Sequence, residues 1–393
     1  VRIILVKKQN FRDFSPFREA AKRYTHFVVA YSGGKDSTAT AIYLYYWLKE
    51  DRPNIEVSLL YNDTLSEVNP LESWVRNFMS QFREKAGKYV EVKTRIAKPE
   101  TVKTFFWRVY VRGYPAPTFV FRWCVDHLKL DPMLKEVKNL KGAIIVTGQR
   151  DEESGARAAS MKKMYGSCLP GSCAGAFFAT NSETPKLAPI RFWTTRDVWH
   201  FLLYEQSDFY IEPLINLYML DKNTLTSAGG RFGCWHCTLV KTHSALFFEG
   251  KWYGYVEALR LIYKAVSDIK ELRVPKLGGY SKFGPLTPLA RAIVYNLVPI
   301  VEEKSGHRFY GLDEVHVGDA TLREIFYILP EENADRIIRS VDDTNRWVGM
   351  RRLRNIEKIL YQQVEDKIVE KIKEYDHLRT VTRFATELLD QLR

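Results

Sequence analysis

Ser32-Gly33-Gly34-Lys35-Asp36-Ser37 lies between a short apolar run, Phe27 to Tyr31, and a stretch of helical periodicity. In that context a glycine turn can hold a phosphate. A strand ending in Ser-Gly-Gly lets backbone N–H groups approach an anion with no Cβ in the way, and the following helix adds the positive end of its dipole. Lys35 supplies a point charge, while Asp36 and Ser37 are of the types that orient a hydrated Mg²⁺ and a phosphate oxygen. The spacing differs from the GxxxxGK[ST] loop of ordinary phosphoryl-transfer NTPases. Downstream come Gly148, Arg150 and Arg157, and guanidinium forks can neutralise a pyrophosphate leaving group without losing their own charge. Glu153 and Arg157, four residues apart, would equally pair on a helix surface.

Cysteine is the second chemical signal. The chain has five, Cys124, Cys168, Cys173, Cys234 and Cys237, and Cys234-Trp-His-Cys237 is a CxxC that brings two thiolates within reach of one metal centre. Five thiols are enough for the four thiolates an iron–sulfur cluster takes. Zinc on the same ligands, reduced structural thiols, or a Cys168–Cys173 disulfide are the competing readings. His236, inside the CxxC, is expected to face away from any metal.

These groups need elements to position them. Apolar runs alternate with amphipathic stretches: FVVAY reads as a strand, Asp36 to Glu50 as a helix, IEVSLLY as a strand, Pro70 to Lys88 as a helix, VEVKTRIA as a strand, Glu100 to Val111 as helical, and Gly142 to Thr147 as a buried strand. Continuous apolar strands separated by helices predict a parallel sheet covered on both faces, with ligands beyond the carboxyl ends of its strands. The glycine turn, Asn62-Asp63-Thr64 and Gly148-Gln149-Arg150 each follow such an end, so one cleft is expected to hold all three. Residues 1–26 read as a strand–helix preamble with Ser15-Pro16 opening the helix. Residues 27–240 form the expected catalytic domain, loop-rich and cysteine-bearing from 158 onward, and residues 241–393 a helical domain. Its apolar positions Ile356, Leu360, Val364, Ile368 and Ile372 are expected to face a core ahead of a coiled-coil dimer seam.

Composition is globular, with 46% hydrophobic and 27% charged residues in 393. No apolar run approaches the roughly 18–20 residues of a membrane span, and VRIILVKKQN is too short and charged for a signal peptide, which points to the cytoplasm. The net charge is +12, and residues 1–250 hold 35 Lys and Arg against 25 Asp and Glu. That excess suits a polyanion such as nucleic acid, though ATP would use the same field.

The turn resembles the SGGxDS "PP-loop" of the ATP pyrophosphatases, which split ATP between its α and β phosphates. Further segments resemble the PAPS reductase family of PP-loop proteins, and within it the DndC-type proteins of DNA phosphorothioation. Tyr61 to Glu67 is similar to the family's DT-containing turn, which implies a place for Asp63 and Thr64 near the nucleotide or Mg²⁺. Arg122-Trp123-Cys124 with Leu128-Lys129 and Pro132 resembles its RWCxxxLKxxP helix. Gly148, Arg150, Glu153, Ser154 and Arg157 resemble a stretch that closes over phosphates, and Pro189 to Leu202 a PIxxWTxxDVWxxL element whose Trp193, Asp197 and Trp199 read as structural. Arg231 to Thr238 (RFGCWHCT) is close to the RFGCWTCT of DndC-type proteins.

The resemblance implies an α/β fold with an adenine nucleotide alpha-hydrolase-like parallel-sheet core, and an ATP pyrophosphatase that transfers sulfur. With the cysteine count it points to ATP, Mg²⁺ and a 4Fe-4S cluster on Cys124, Cys234, Cys237 and one of Cys168 or Cys173, zinc being the alternative. The implied partners are nucleic acid, DNA ahead of tRNA, a cysteine desulfurase as sulfur donor, and other subunits of a phosphorothioation complex. Reductases of the family carry a cysteine pair where this chain has Cys124-Val125, and a nucleophilic cysteine near the C-terminus, whereas here none follows Cys237. This disfavours a sulfonucleotide reductase. tRNA thiolation and a non-catalytic, nucleotide-regulated DNA-binding subunit remain as the other readings.

Overall fold

The computed structural model describes residues 9–153, 159, 162–163, 165, 177–179, 184–221, 224–225, 233–239, 247–248, 251–275, 283–307, 309, 355–376 and 380–393. Arg157, Cys168 and Cys173 lie outside the described residues. The chain groups into two compact units, one drawn from residues 1–62, 70–97 and 133–232, the other from 63–69, 98–132 and 233–393.

The first unit is built on a sheet of β1 (His26–Tyr31), β2 (Glu56–Asn62), β3 (Glu91–Ala97), β4 (Ala143–Val146), β5 (Phe178–Ala179) and β6 (Lys186–Leu187), in the order β3-β2-β1-β4-β6-β5. The first five in that order are parallel, and β5 runs antiparallel to β6. Val28 of β1 pairs with Ser58 on one side and Ile145 on the other. The chain winds from β1 outward through β2 to β3, then returns to place β4 on β1's other flank. The carboxyl ends of β1 and β4 therefore border the crevice where such sheets bind ligands.

Helices α1 (Ser15–Ala21), α2 (Lys35–Asp51), α3 (Asn69–Ala86), α4 (Asp131–Lys138), α5 (Thr195–His200) and α6 (Glu212–Tyr218) accompany the sheet. Successive strand residues point to opposite faces. Val28, Leu60, Ala97 and Ile145 pack against Val137 with Met133 and Leu140, while Phe27 meets Trp47 and Tyr31 stacks on Phe78. Every residue of α2 from Ser37 to Leu48 is buried, which is why this helix is apolar all round. Its outward Tyr43 is covered by Phe14, Phe17 and Trp193.

Two local expectations are refined. Helix α1 begins at Ser15 with Pro16 in its first turn, but the N-cap position falls on Phe14, and Asp13 Oδ1 accepts the Ser15 N–H at 3.1 Å. The region Glu100 to Val111 is not one helix: a tight turn at Thr101–Lys103 is followed by a widened turn at Trp107–Val111, closed by Arg112 N–H on the Trp107 carbonyl at 3.1 Å. In the Trp193 to Trp199 element, Thr194 and Asp197 cap α5 reciprocally.

The second unit is mostly helical, with α7 (Gly254–Asp268), α8 (Pro288–Ser305), α9 (Asn355–Tyr375) and α10 (Thr382–Asp390). Val364, Ile368 and Ile372 of α9 are buried, so these three face a core. Among the described residues no helix is long and apolar enough to cross a membrane.

Candidate nucleotide and thiol sites

In the first unit, Ser32, Gly33 and Gly34 carry the chain from β1 into α2. Gly33 has φ +76°, and a Cβ there would stand 2.6 Å from Val75 and 2.8 Å from Leu71, so both backbone conformation and space demand glycine. Trp74 Nε1 donates to the Gly33 carbonyl at 2.9 Å, fixing the turn. Gly34 is the N-cap residue and brings no side chain to the helix end. The Lys35 N–H donates to the Tyr218 hydroxyl at 3.0 Å, and Ser37 Oγ lies 3.1 Å from Ser32 Oγ and donates to the Gly34 carbonyl at 3.0 Å. Burial pushes the Tyr218 phenol above its ordinary range, so it stays a neutral hydroxyl.

The loop after β4 closes directly on this turn. A Cβ on Gly148 would come within 2.8 Å of the Asp36 carbonyl group and 2.9 Å of the Ser37 nitrogen. The contact is backbone to backbone, which only glycine permits. Asp36 is held from both sides: Lys35 Nζ lies 2.8 Å from Oδ2, and Arg150 Nε donates to Oδ1 at 2.8 Å. Arg150 is only 1% exposed. Its remaining nitrogens donate to Glu152 at 3.2 Å, the Trp193 carbonyl at 3.0 Å and Thr195 Oγ1 at 3.2 Å. The expected open fork for phosphate oxygens is thus spent on protein groups, and in this arrangement Arg150 positions Asp36. Lys35 and Asp36 retain partial exposure.

Of the remaining predicted residues, those that are described gather in the second unit. Asp63 is buried, its Oδ1 accepts the Leu65 N–H at 2.9 Å, and Lys98 Nζ stands 4.0 Å from Oδ2. Thr64 Oγ1 donates to Glu67 at 2.7 Å and lies 3.2 Å from Cys234 Sγ. A strand-like bridge pairs Glu67 with Cys234, and Trp235 N–H donates to the Ser66 carbonyl at 2.8 Å. The Asp63–Glu67 turn and the CxxC are therefore one structure, although some 170 residues separate them. Arg260, paired with Glu257 in the buried heart of α7, donates to the Cys237 carbonyl at 3.0 Å. His236 is buried and stacks on Phe105 with centroids 3.7 Å apart.

Cys124, Cys234 and Cys237 are thiols and not disulfide sulfurs, and they share one electrostatic neighbourhood with Lys129. Cys234, ahead of Glu67, Cys124 and Cys237, holds the Lys129 ammonium above its usual range against the pull of desolvation. Burial pushes the Cys234 thiol up to about 12 and raises Cys124 as well. A thiolate at Cys234 therefore needs a cation or metal to stabilise it. Among the described residues no three His, Cys, Asp or Glu side chains are grouped so as to hold a metal ion. Thiolates are the ligand type that iron–sulfur clusters take, but the described cysteines are not gathered round one centre.

Sequence reasoning missed Tyr218 and Trp74. Both reach the turn from other helices, and neither sits in a motif that could have marked it.

An open parallel sheet with a glycine turn and a lysine at the crevice of its central strand defines a doubly wound nucleotide-binding protein. The chain belongs to the phosphoadenosine phosphosulfate reductase domain family, whose model matches residues 26–240. Over 237 residues it is 24% identical to an uncharacterized protein of Methanocaldococcus jannaschii, a match covering 60% of this chain and 47% of that protein. The chain thus spans about half the length of this relative. Among solved structures it is similar to the phosphoadenylyl-sulfate (PAPS) reductase from Candida auris in its phosphate complex, at 17% identity and TM-score 0.38, covering 57% of this chain and 88% of that one.

Proposed function

We propose that the protein is a DndC-like, ATP-dependent sulfurtransferase that adenylates an oxygen of a nucleic-acid backbone phosphate, of DNA first, releases pyrophosphate, and lets sulfur replace that oxygen. The observation that carries the reading is the Lys35–Asp36–Arg150 chain at the start of α2, where the N-cap glycine brings no side chain and the turn is pressed against Gly148. It offers a triphosphate a helix N-terminus, a lysine point charge and a carboxylate of fixed orientation.

An oxide ion is a very poor leaving group, so the oxygen must first be carried away on something better. In the first step the phosphate oxygen bonds to the α phosphorus of ATP while the bond to pyrophosphate breaks. Lys35 follows the negative charge onto the pyrophosphate and releases Asp36 Oδ2. Asp36, still aligned by Arg150, is the carboxylate that would hold Mg²⁺, whose chemistry is to draw charge off the phosphates. In the second step a hydrosulfide-level sulfur bonds to phosphorus and AMP departs with the oxygen. The sulfur comes from a cysteine desulfurase partner; when it arrives as a persulfide, two electrons from a thiol break the S–S bond.

Cys124, Cys234 and Cys237, with Cys168 or Cys173 from outside the described residues, would hold a 4Fe-4S cluster, which supplies a site for soft, sulfur-directed chemistry when bound. The family's membership in sulfonucleotide chemistry and the basic charge of the chain support a sulfur-handling enzyme with a polyanionic substrate.

The test is incubation of anaerobically purified protein with α-labelled ATP, Mg²⁺ and duplex DNA, with cysteine and a desulfurase added. The expected products are AMP and pyrophosphate in equal amounts and phosphorothioate-linked dinucleotides after digestion, all lost in Lys35→Ala. ADP and orthophosphate would end this reading, and sulfite released from PAPS without AMP from ATP would make the protein a reductase.

A further inference from the structure

We propose that the turn Thr118–Phe121 is a stacking platform for unpaired bases of the nucleic acid whose phosphate is modified. The inference rests on the nucleic-acid reading above and deepens it, because it states which face of the polymer the protein grips. Phe119 is 70%, Val120 98% and Phe121 44% exposed. Leaving such side chains in water forgoes the stabilisation that burial would bring, so a cluster of three at one tip calls for a use.

The tip is displayed rather than loose. Thr118 N–H donates to the Phe121 carbonyl at 3.1 Å, and Phe121 N–H returns to Thr118 Oγ1 at 3.0 Å. Its stalk is bolted down at three points: Ala116 N–H on Ser267 Oγ at 2.8 Å, Tyr263 hydroxyl on the Tyr114 carbonyl at 3.1 Å, and Thr238 hydroxyl on the Pro117 carbonyl at 2.7 Å. Thr238 directly follows the CxxC, and Cys124 comes two residues after Arg122, so the stalk and the thiols share one framework.

Charge selects the occupant. The exposed Arg122 guanidinium sits over the Phe119 ring, 5.5 Å from its centroid, an aromatic–cation pair of the sort on which any base can stack while its phosphate meets the positive charge. Residues 98–132 carry six Lys and Arg against three Asp and Glu. A stable protein partner would need about 800 Å² of surface, far more than three side chains offer, and one four-residue turn has far less apolar face than the amphipathic helices that bind lipid surfaces.

The experiment measures binding of a fluorescent twelve-nucleotide oligothymidine, and of a duplex of the same length, to full-length protein across a salt series. Phe119→Ala/Phe121→Ala, whose fold is checked by circular dichroism, is expected to lose roughly ten- to hundredfold in single-strand affinity with its salt dependence kept. Arg122→Gln is expected to lower the salt slope by about one. Equal affinity of the double variant and wild type overturns the platform and leaves the nucleic-acid reading standing, provided wild type binds in a salt-dependent way. No binding by wild type overturns both. Loss of binding to anionic phospholipid vesicles, or of self-association, in a double variant that still holds the oligonucleotide would overturn the platform and give the tip to a membrane or a protein.

Discussion

Arg150 Nε lies 2.8 Å from Asp36 Oδ1, joining the loop after β4 to the first turn of α2 across 114 residues of sequence. The pair fixes one carboxylate oxygen and leaves the other to Lys35. Arg150→Gln removes a buried charge from a network of acceptors that includes Asp36, Glu152, the Trp193 carbonyl and Thr195. It is expected to destabilise the protein by about 3 kcal/mol and to weaken ATP binding, as read by urea denaturation and nucleotide titration. Unchanged affinity in a folded variant would show that Asp36 needs no alignment.

Gly148→Ala tests the backbone contact with α2. The added methyl must push the first turn of α2 aside, at a cost of about 1–3 kcal/mol, and on the proposed reading the expected loss of ATP affinity exceeds the loss of stability because the displaced atoms belong to the proposed phosphate-binding turn. A variant with wild-type affinity would mean that nucleotide does not use this turn.

Tyr218→Phe keeps the ring and removes the hydroxyl that accepts the Lys35 N–H. Stability is expected to fall by about 1 kcal/mol, measured by thermal unfolding. A stabilised variant would contradict the bond.

Cys234→Ser and Cys237→Ser address the thiol site. Anaerobically purified wild-type protein is expected to contain iron and acid-labile sulfide that both variants lack, and chelation is expected to lower the melting temperature, since metal bound to the folded state stabilises it. Zinc without sulfide would identify the other metal, and neither metal would leave the thiols structural.

His307 gives a pH dependence. It is buried, and desolvation lowers its pKa to about 4. At pH 7 the imidazole is neutral in both folded and unfolded chains, so the full stability is present. Between pH 6.5 and 4 the unfolded chain takes up a proton that the folded one refuses. Stability therefore falls with pH, by about 3 kcal/mol in total. Urea midpoints at pH 7 and pH 4.5 should diverge in wild type and diverge less in His307→Phe.

Much of this was legible in the amino-acid order. Strands β1, β2 and β4 announce themselves because a strand covered on both faces must be apolar throughout, and the parallel sheet follows from their alternation with helices. The turn Ser32–Ser37 is readable because its chemistry is local: glycines, a helix start and a lysine act through neighbours in the chain. Cys234 and Cys237 are legible for the same reason.

What only the tertiary structure decided is how distant segments spend their polar groups. Nothing near Arg150 in sequence shows that its guanidinium is consumed by Asp36, Glu152, Trp193 and Thr195, because burial and partner choice are properties of packing. Tyr218 reaches the turn from α6, and Thr64 meets Cys234 Sγ, for no reason a motif records. A residue's type bounds the chemistry it can perform. Which of those options remains open depends on what the fold has already placed within hydrogen-bonding distance.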